Sequence, residues 1–229
     1  MMYMLPVASF WQQKPGGFQI YNPPRYQSND VSEAFELMEY YPFATVISVV
    51  DQEPVISHLP LTPVMTGQKM QLIGHLAKAN SHWQELNKVP VTALFHGAHA
   101  YITPKWYEQN DVPTWNYSTV HVTGRVELIE HEAGLIECLK GLREHMEKIW
   151  PSGWEFFVPE DLAARLTQSI AGFRIHVESI QFKQKLGQNK SPKSIEGVVQ
   201  GLEARGGGMS LDLIRDMKKY FSKRNILDP

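Results

Sequence analysis

The stretch FATVISVVDQEPVISHLPLTPV, Phe43 to Val64, decides the fold class. Its first eight residues are rich in β-branched side chains and too short for a globular helix, so they read as a strand. DQEP makes a turn, and PVISHLPLTPV follows as a second strand interrupted by proline. Working outward, KMQLIGHL is a third strand, and VPVTALFHG, AYIT and YSTVHVTGRVELIE bring the set to about six. Short links between successive strands point to an antiparallel barrel or sandwich, not a parallel α/β sheet. FRIHVESIQFKQK alternates again and is expected to return to the sheet.

Helices surround this set. NDVSEAFELMEYYP reads as the first, capped by Asn29 or Asp30 and stopped by Pro42. NSHWQEL is a short helix opening at Asn80 or Ser81. EAGLIECLKGLREHMEKIW places Leu135, Ile136, Leu139, Leu142, Met146 and Ile149 on one stripe. PEDLAARLTQSIAG starts with a first-turn proline and closes at Gly172. Two last helices, around Ser194–Ala204 and Ser210–Ser222, are separated by RGGG, which reads as a hinge. The expected organisation is an extended arm at 1–28, a sheet domain with inserted helices at 29–190, and a basic helical segment at 191–229.

At 229 residues, with 43% hydrophobic and 20% charged residues, the composition is that of a soluble globular protein. No apolar run approaches the about 20 residues that span a bilayer. The N-terminus lacks early basic residues and a full apolar core, so a signal peptide is not expected. With Cys138 the single cysteine, set in an apolar helix stripe, a buried inert thiol and a cytoplasmic location are expected. The net charge of −2 hides an asymmetry. Lys183 to Pro229 holds ten Lys/Arg against five Asp/Glu, and the rest of the chain carries 12 against 19. Such a tail can touch nucleic acid or dock on its own body or a partner subunit, and the modest pI favours docking.

Three stretches carry potential chemistry. HGAHAY sets His96 and His99 three apart, with His58, His75, His82 and His121 on nearby segments. Few acids and no thiol accompany them, so they read as histidines lining a polar cleft and no metal site is expected. Ser57 and His58 are chain neighbours whose side chains leave opposite faces of a strand, so they form no nucleophile pair. Neither a Walker loop nor a strand-linked G-x-G-x-x-G occurs. In GHLAKANSHW, a strand ending at Gly74-His75 runs into a helix whose first turn holds Asn80, Ser81 and His82, with Lys78 just before it, a gathering of anion-binding donors that a capped helix in a surface loop explains equally. KLGQNKS, Lys185 to Ser191, combines amides and lysines after a strand and reads equally as a polar turn. VPTWNYSTVHVTG, Val112 to Gly124, puts the bulky run Trp115, Asn116, Tyr117 immediately before a strand.

Taken in order, YPFATVIS, SHLPL, GHLAKANSHW, GAHAYITPKWY, VPTWNYSTVHVTG and KLGQN resemble the signature segments of the PaiB-type family of FMN-binding negative transcriptional regulators. The resemblance runs from about Tyr21 to Leu202. It implies a mainly β, α+β fold of the antiparallel FMN-binding split-barrel type, similar to pyridoxamine-phosphate-oxidase-like flavoproteins, which dimerise with flavin in the groove between subunits. The first 20 residues are then an extension, because YNPPRY resembles the family's usual start. Gly187 stands where the family's KLSQN carries serine.

FMN gives the separate readings one ligand. Its phosphate would be met by the helix start at Asn80 to His82, near His75, helped by Lys78 or a lysine of KLGQN, whose Lys185, Gln188 and Asn189 are counted among the cofactor-binding residues. The strand Ser57, His58, Leu59, Pro60 would run along the ring, and Trp115, Asn116 and Tyr117 would close the pocket. The resemblance thus implies a cytoplasmic, homodimeric, FMN-binding regulatory protein. DNA contact would fall to LDLIRDMKKYFSKRN, where Lys218, Lys219, Lys223 and Arg224 crowd the side away from Leu213, Ile214, Met217 and Phe221. Two alternatives stand beside it: a flavin-dependent oxidoreductase with His58, His75 or His121 as the titratable group, and a dimeric interaction module whose flavin site has decayed. A haem-binding variant of the fold is an outsider, as no axial ligand stands out.

Overall fold

A computed structural model describes residues 20–155, 159, 165 and 167–224, and among these described residues the patterns form eight strands and four complete α-helices. Most of the arm at 1–28 and part of the helix expected at Pro159–Gly172 lie outside the described residues, and the last three residues of that expected helix, Ile170 to Gly172, begin a strand instead.

The strands are β1 (Gln27–Ser28), β2 (Phe43–Val50), β3 (Glu53–Pro60), β4 (Thr62–Thr66), β5 (Lys69–Ala77), β6 (Val91–Ile102), β7 (Thr114–Ile129) and β8 (Ile170–Lys185). Their order is β3-β2-β6-β7-β8-β5-β4, with β1 on β8. The pairings of β2 with β3 and β6, of β5 with β4 and β8, and of β1 with β8 are antiparallel. The path ends at β3 and β4 without closing among the described residues. The mainly antiparallel sheet with peripheral helices expected from the sequence is therefore the observed architecture. No helix among the described residues is long and apolar enough to cross a membrane.

Two details differ from the sequence reading. PVISHLPLTPV is two strands, because Pro60 ends β3 and the Leu61 amide leaves the ladder to donate to the Pro42 carbonyl at 2.9 Å. VPVTALFHG and AYIT are one strand, β6. Its inward phase runs through Val91, Ala93 and Phe95, then shifts where Gly97 and Ala98 are both buried. Small residues resemble a break in sequence, yet here they let the strand change phase, as β-bulges do beside functional sites. The result is that His96 and His99 both face outward.

The chain forms two units. The first comprises Asn29–Phe95 and Val120–Gln181 with Ile20. Its core gathers Phe95, Phe173, Met38, Leu61, Met70, Leu72, Leu86 and Ile175. Helix α1 (Val31–Tyr40) is capped by Asp30, whose carboxylate accepts from the Ser32 and Glu33 amides, and it buries Ala34, Leu37 and Met38. Helix α2 (Glu132–Ile149) buries Gly134, Leu135, Cys138 and His145, a narrower line than its apolar stripe suggests. Cys138 is buried as expected, and burial pushes its thiol pKa up. Between β2 and β3, Val50 pairs with Glu53, leaving Asp51 and Gln52 at φ 48° and 69°. Paired positive φ angles suit the twist of a two-residue hairpin. A side chain such as Gln52 holds that conformation at a cost of about 1 kcal/mol.

The second unit comprises Tyr21–Ser28, His96–Thr119 and the chain from Phe182 onward. Helices α3 (Pro192–Arg205) and α4 (Gly208–Ser222) pack together, and Ile195, Leu202, Leu213, Met217 and Phe221 are buried with Ile102 and Leu186. Ser191 caps α3 by accepting from the Ser194 amide. Gly206 and Gly207, at φ 68° and 86°, make the joint between the helices. Trp106 presses into α3 so closely that a methyl group on Gly201 would sit 2.2 Å from its ring, and Arg205 covers the indole 4.5 Å from its centroid.

Candidate functional site

In the first unit, the residues expected to hold a ligand are bonded mainly to one another. Asn80 caps a short 3-10 turn, Ser81–Gln84, by accepting from the His82 amide at 3.1 Å. Its side-chain amide donates to Ser57 Oγ at 3.0 Å. The His82 ring is 1% exposed and lies between two hydroxyls, with Nδ1 2.8 Å from Ser57 Oγ and Nε2 2.9 Å from Ser48 Oγ. Both ring nitrogens are engaged, which ties the turn to β2 and β3. Burial lowers the His82 pKa against the opposing charge of Glu85, which favours the neutral ring.

The other residues named in this unit are dispersed. His58 is exposed, with Nδ1 3.0 Å from Thr45 Oγ1 and its ring stacked on Phe43. Leu59 is buried, Pro60 and His75 are half-buried, and burial lowers the His75 pKa. Lys78 is exposed, its ammonium 3.5 Å from the Thr167 carbonyl.

The second unit is arranged differently. Trp115 is 53% exposed, with the His99 ring 6.2 Å away at 37° and the Tyr101 ring 6.3 Å away at 67°. Together with His96, Gly97, Tyr117 and Ser118, Trp115 and His99 line an open cavity of about 250 Å³. Burial, and next the charge of His99, lower the His96 pKa. Asn116, between the two aromatics, faces inward at 2% exposure and donates to Met217 Sδ at 3.9 Å.

Cations gather in the same unit. Lys183 is buried, donates to the Tyr21 carbonyl at 2.7 Å, and lies 5.3 Å from the ring centroids of both Tyr21 and Tyr117. Lys190 pairs with Asp111 and lies over Tyr107. Lys185 donates to the Trp115 carbonyl at 2.8 Å and to the Thr114 hydroxyl. Among the described residues it has no carboxylate partner. Burial, then the charges of Lys183 and Lys190, lower its pKa. This ammonium is a ready partner for an anion.

The rest of KLGQN shapes the turn. Gln188 accepts from the Leu186 amide at 2.9 Å and donates to the Gln184 carbonyl at 2.6 Å, while Asn189 is exposed. Gly187 sits at φ 92°, a conformation that other side chains rarely adopt, so the missing hydroxyl accompanies a turn suited to glycine.

Sequence reasoning named Trp115, Tyr117 and Lys185 but left His96 and His99 out of the ligand set. On an unbroken strand, residues three apart face opposite ways. Only the adjacent small residues Gly97 and Ala98 hint at the change of phase.

An open, mainly antiparallel sheet of eight strands with peripheral helices is the architecture of the split-barrel class of flavin-binding folds. The chain belongs to the PaiB-type FMN-binding family: residues 20–179 match the family described as "Putative FMN-binding domain". The chain is 32% identical to "Protease synthase and sporulation protein PAI 2" of Bacillus subtilis (strain 168), over 80% of this chain and 89% of that protein. Among solved structures, the FAD and haem binding protein from Mycobacterium smegmatis has a TM-score of 0.57 at 15% identity, covering 71% of this chain and 74% of that one. The flavocytochrome Anf3 from Azotobacter vinelandii has a TM-score of 0.55 at 18% identity, covering 69% of each chain. Both likenesses concern the fold.

Proposed function

We propose that the protein is an FMN-binding, homodimeric, cytoplasmic regulator of the PaiB type, with its flavin held against the shelf of the second unit. The observation that carries this is the pairing of an exposed Trp115 with Lys185, whose acceptors are all neutral. The donor set fits FMN. Trp115, His99 and Tyr117 offer flat walls to the ring, and Lys185 offers a cation to the phosphate. Asn116 faces inward to the Met217 sulfur, Gln188 holds backbone, and Ser57, Asn80 and His82 fix the turn after β5. The exposed Lys78 is the alternative phosphate partner. Bound FMN would supply hydride or electron transfer, and the residues named here bind and orient it.

Two further features support the regulatory reading. Phe43, Val49 and Ile56 are exposed on the β2–β3 hairpin, an apolar face suited to a second copy. The PAI 2 relative is named for protease synthesis and sporulation, which favours control of expression. DNA contact through α4 would draw on Lys218, Lys219, Lys223 and Arg224, although Lys218 already lies 3.6 Å from Glu203 and Arg224 covers Tyr220. Such binding would weaken steeply with salt.

The test is the visible absorption of purified protein loaded with FMN and desalted. Retained flavin, lost on Trp115→Ala or Lys185→Gln but kept on Lys78→Ala, supports the assignment. Retention by Lys185→Gln and loss by Lys78→Ala moves the phosphate to the first unit. A flavin-dependent oxidoreductase is the second reading, favoured by the two imidazoles on the shelf. Oxidation of reduced nicotinamide faster than free FMN supports it; equality with free FMN removes it.

A further inference from the structure

Apart from the flavin shelf, the first unit holds an open cavity of about 240 Å³ between α2 and the sheet. The helix wall is recessed. Gly134, Cys138 and Gly141 line it at four- and three-residue spacing, so they share one face. At Gly141 the space is unfilled: a methyl group there meets no heavy atom within 4 Å. Val64, Ile73, Ile129 and Leu142 give the cavity an apolar body, and Thr62 and His131 add polar groups.

Arg174, from β8, completes the lining. A guanidinium has five N–H donors. Among the described residues Arg174 spends one, from Nη1 to Glu127 Oε1 at 3.3 Å. Glu127 is shared, because its other oxygen lies 2.6 Å from His176 Nε2. That hydrogen bond, with the charges of Arg174 and His176, holds the Glu127 carboxyl below its ordinary range. Glu137 also lines the cavity but is exposed to water. The remaining fork of Arg174 therefore stands with donors unspent beside a cavity of mixed lining, apolar toward Ile73 and Ile129 and polar toward Glu127 and Glu137.

We propose that this cavity binds a small monocarboxylate with a short apolar tail, its carboxylate on Arg174 and its tail against Ile73, Ile129 and the notch at Gly141. Planar, two-donor recognition of a carboxylate is what a guanidinium does best. The size suits a ligand smaller than the 300–1,000 Å³ pockets typical of drug-sized molecules (roughly a six-carbon acid).

The test uses the full chain, with hexanoate titrated by calorimetry and by thermal shift, and hexanamide and hexanol as isosteric probes. Saturable hexanoate binding, weakened roughly tenfold by Arg174→Gln, supports the site. Gly141→Leu fills the notch and is expected to raise Tm while abolishing the hexanoate response. If Arg174→Gln fails to fold, Gly141→Leu decides alone. Hexanamide binding as tightly as hexanoate, hexanoate binding unchanged in Gly141→Leu, or no saturation at millimolar hexanoate overturns the proposal. FMN retention is read on the same samples and is expected to be unaffected, so the two sites fail or stand separately.

Discussion

The polar residues of the two units are used in opposite ways. Around His82, each ring nitrogen meets a hydroxyl, and Asn80 serves both as cap and as donor. Around Trp115, a half-exposed indole and an ammonium with neutral acceptors remain open, beside two imidazoles of which His99 keeps its Nδ1 3.1 Å from the Gly97 carbonyl. Residue type alone does not separate these cases, since both regions are rich in histidine, asparagine and serine. What separates them is where the hydrogen bonds go. A closed network contributes stability, and an open one has donors left for a ligand.

The largest effect that can break this contrast is His82→Ala. It leaves the Ser48 and Ser57 hydroxyls without their ring partner and opens a cavity, a destabilisation of about 3 kcal/mol in urea unfolding. A loss near zero would show that the network is not closed. Next is Gly201→Ala, which drives a methyl into the rigid Trp106 ring and costs about 2 kcal/mol, unless the indole leaves its seat. Unchanged Trp fluorescence and Tm would disprove that contact.

Acid tests the closed region in another way. His75 and His82 have folded-state pKa values below the ordinary 6.5, so the unfolded chain takes up protons first. Their contribution is fully present above about pH 6.5 and is lost as pH falls through the folded values. A Tm–pH profile should decline below that point, and His82→Gln should flatten it. The smallest effect is expected at Trp115→Ala, within about 0.5 kcal/mol, because a half-exposed ring contributes little to folding. A large loss there would make Trp115 a core residue and weaken its claim as an open wall.

Much of the fold was legible because its signals are local. Richness in β-branched residues gave β2, alternation gave β7 and β8, Asn29-Asp30 marked the start of α1, and RGGG separated the last helices. Pairing was not legible: β5 joins β8 across the intervening strands and α2, and no local pattern encodes that. Of the candidate site, the bulky run Trp115–Tyr117 was visible because large aromatics beside a strand demand a reason. The roles of His82 and His99 were not. Burial consumed the donors of the first, and a phase change at Gly97-Ala98 turned the second outward.

The pairing of Ala77 with Ile170 has a consequence for synthesis. The β2–β3 hairpin can form as soon as it leaves the ribosome, on a scale of microseconds. β5 finds β4 just as quickly, but its other edge waits for a strand more than ninety residues downstream. At ordinary elongation rates that wait is about 5–20 s. During it, the nascent chain presents Leu72 and Leu76 beside an unpaired strand edge, a template for pairing with a neighbouring chain. The yield of folded protein is therefore sensitive to translation speed and to chaperones that shield nascent strands.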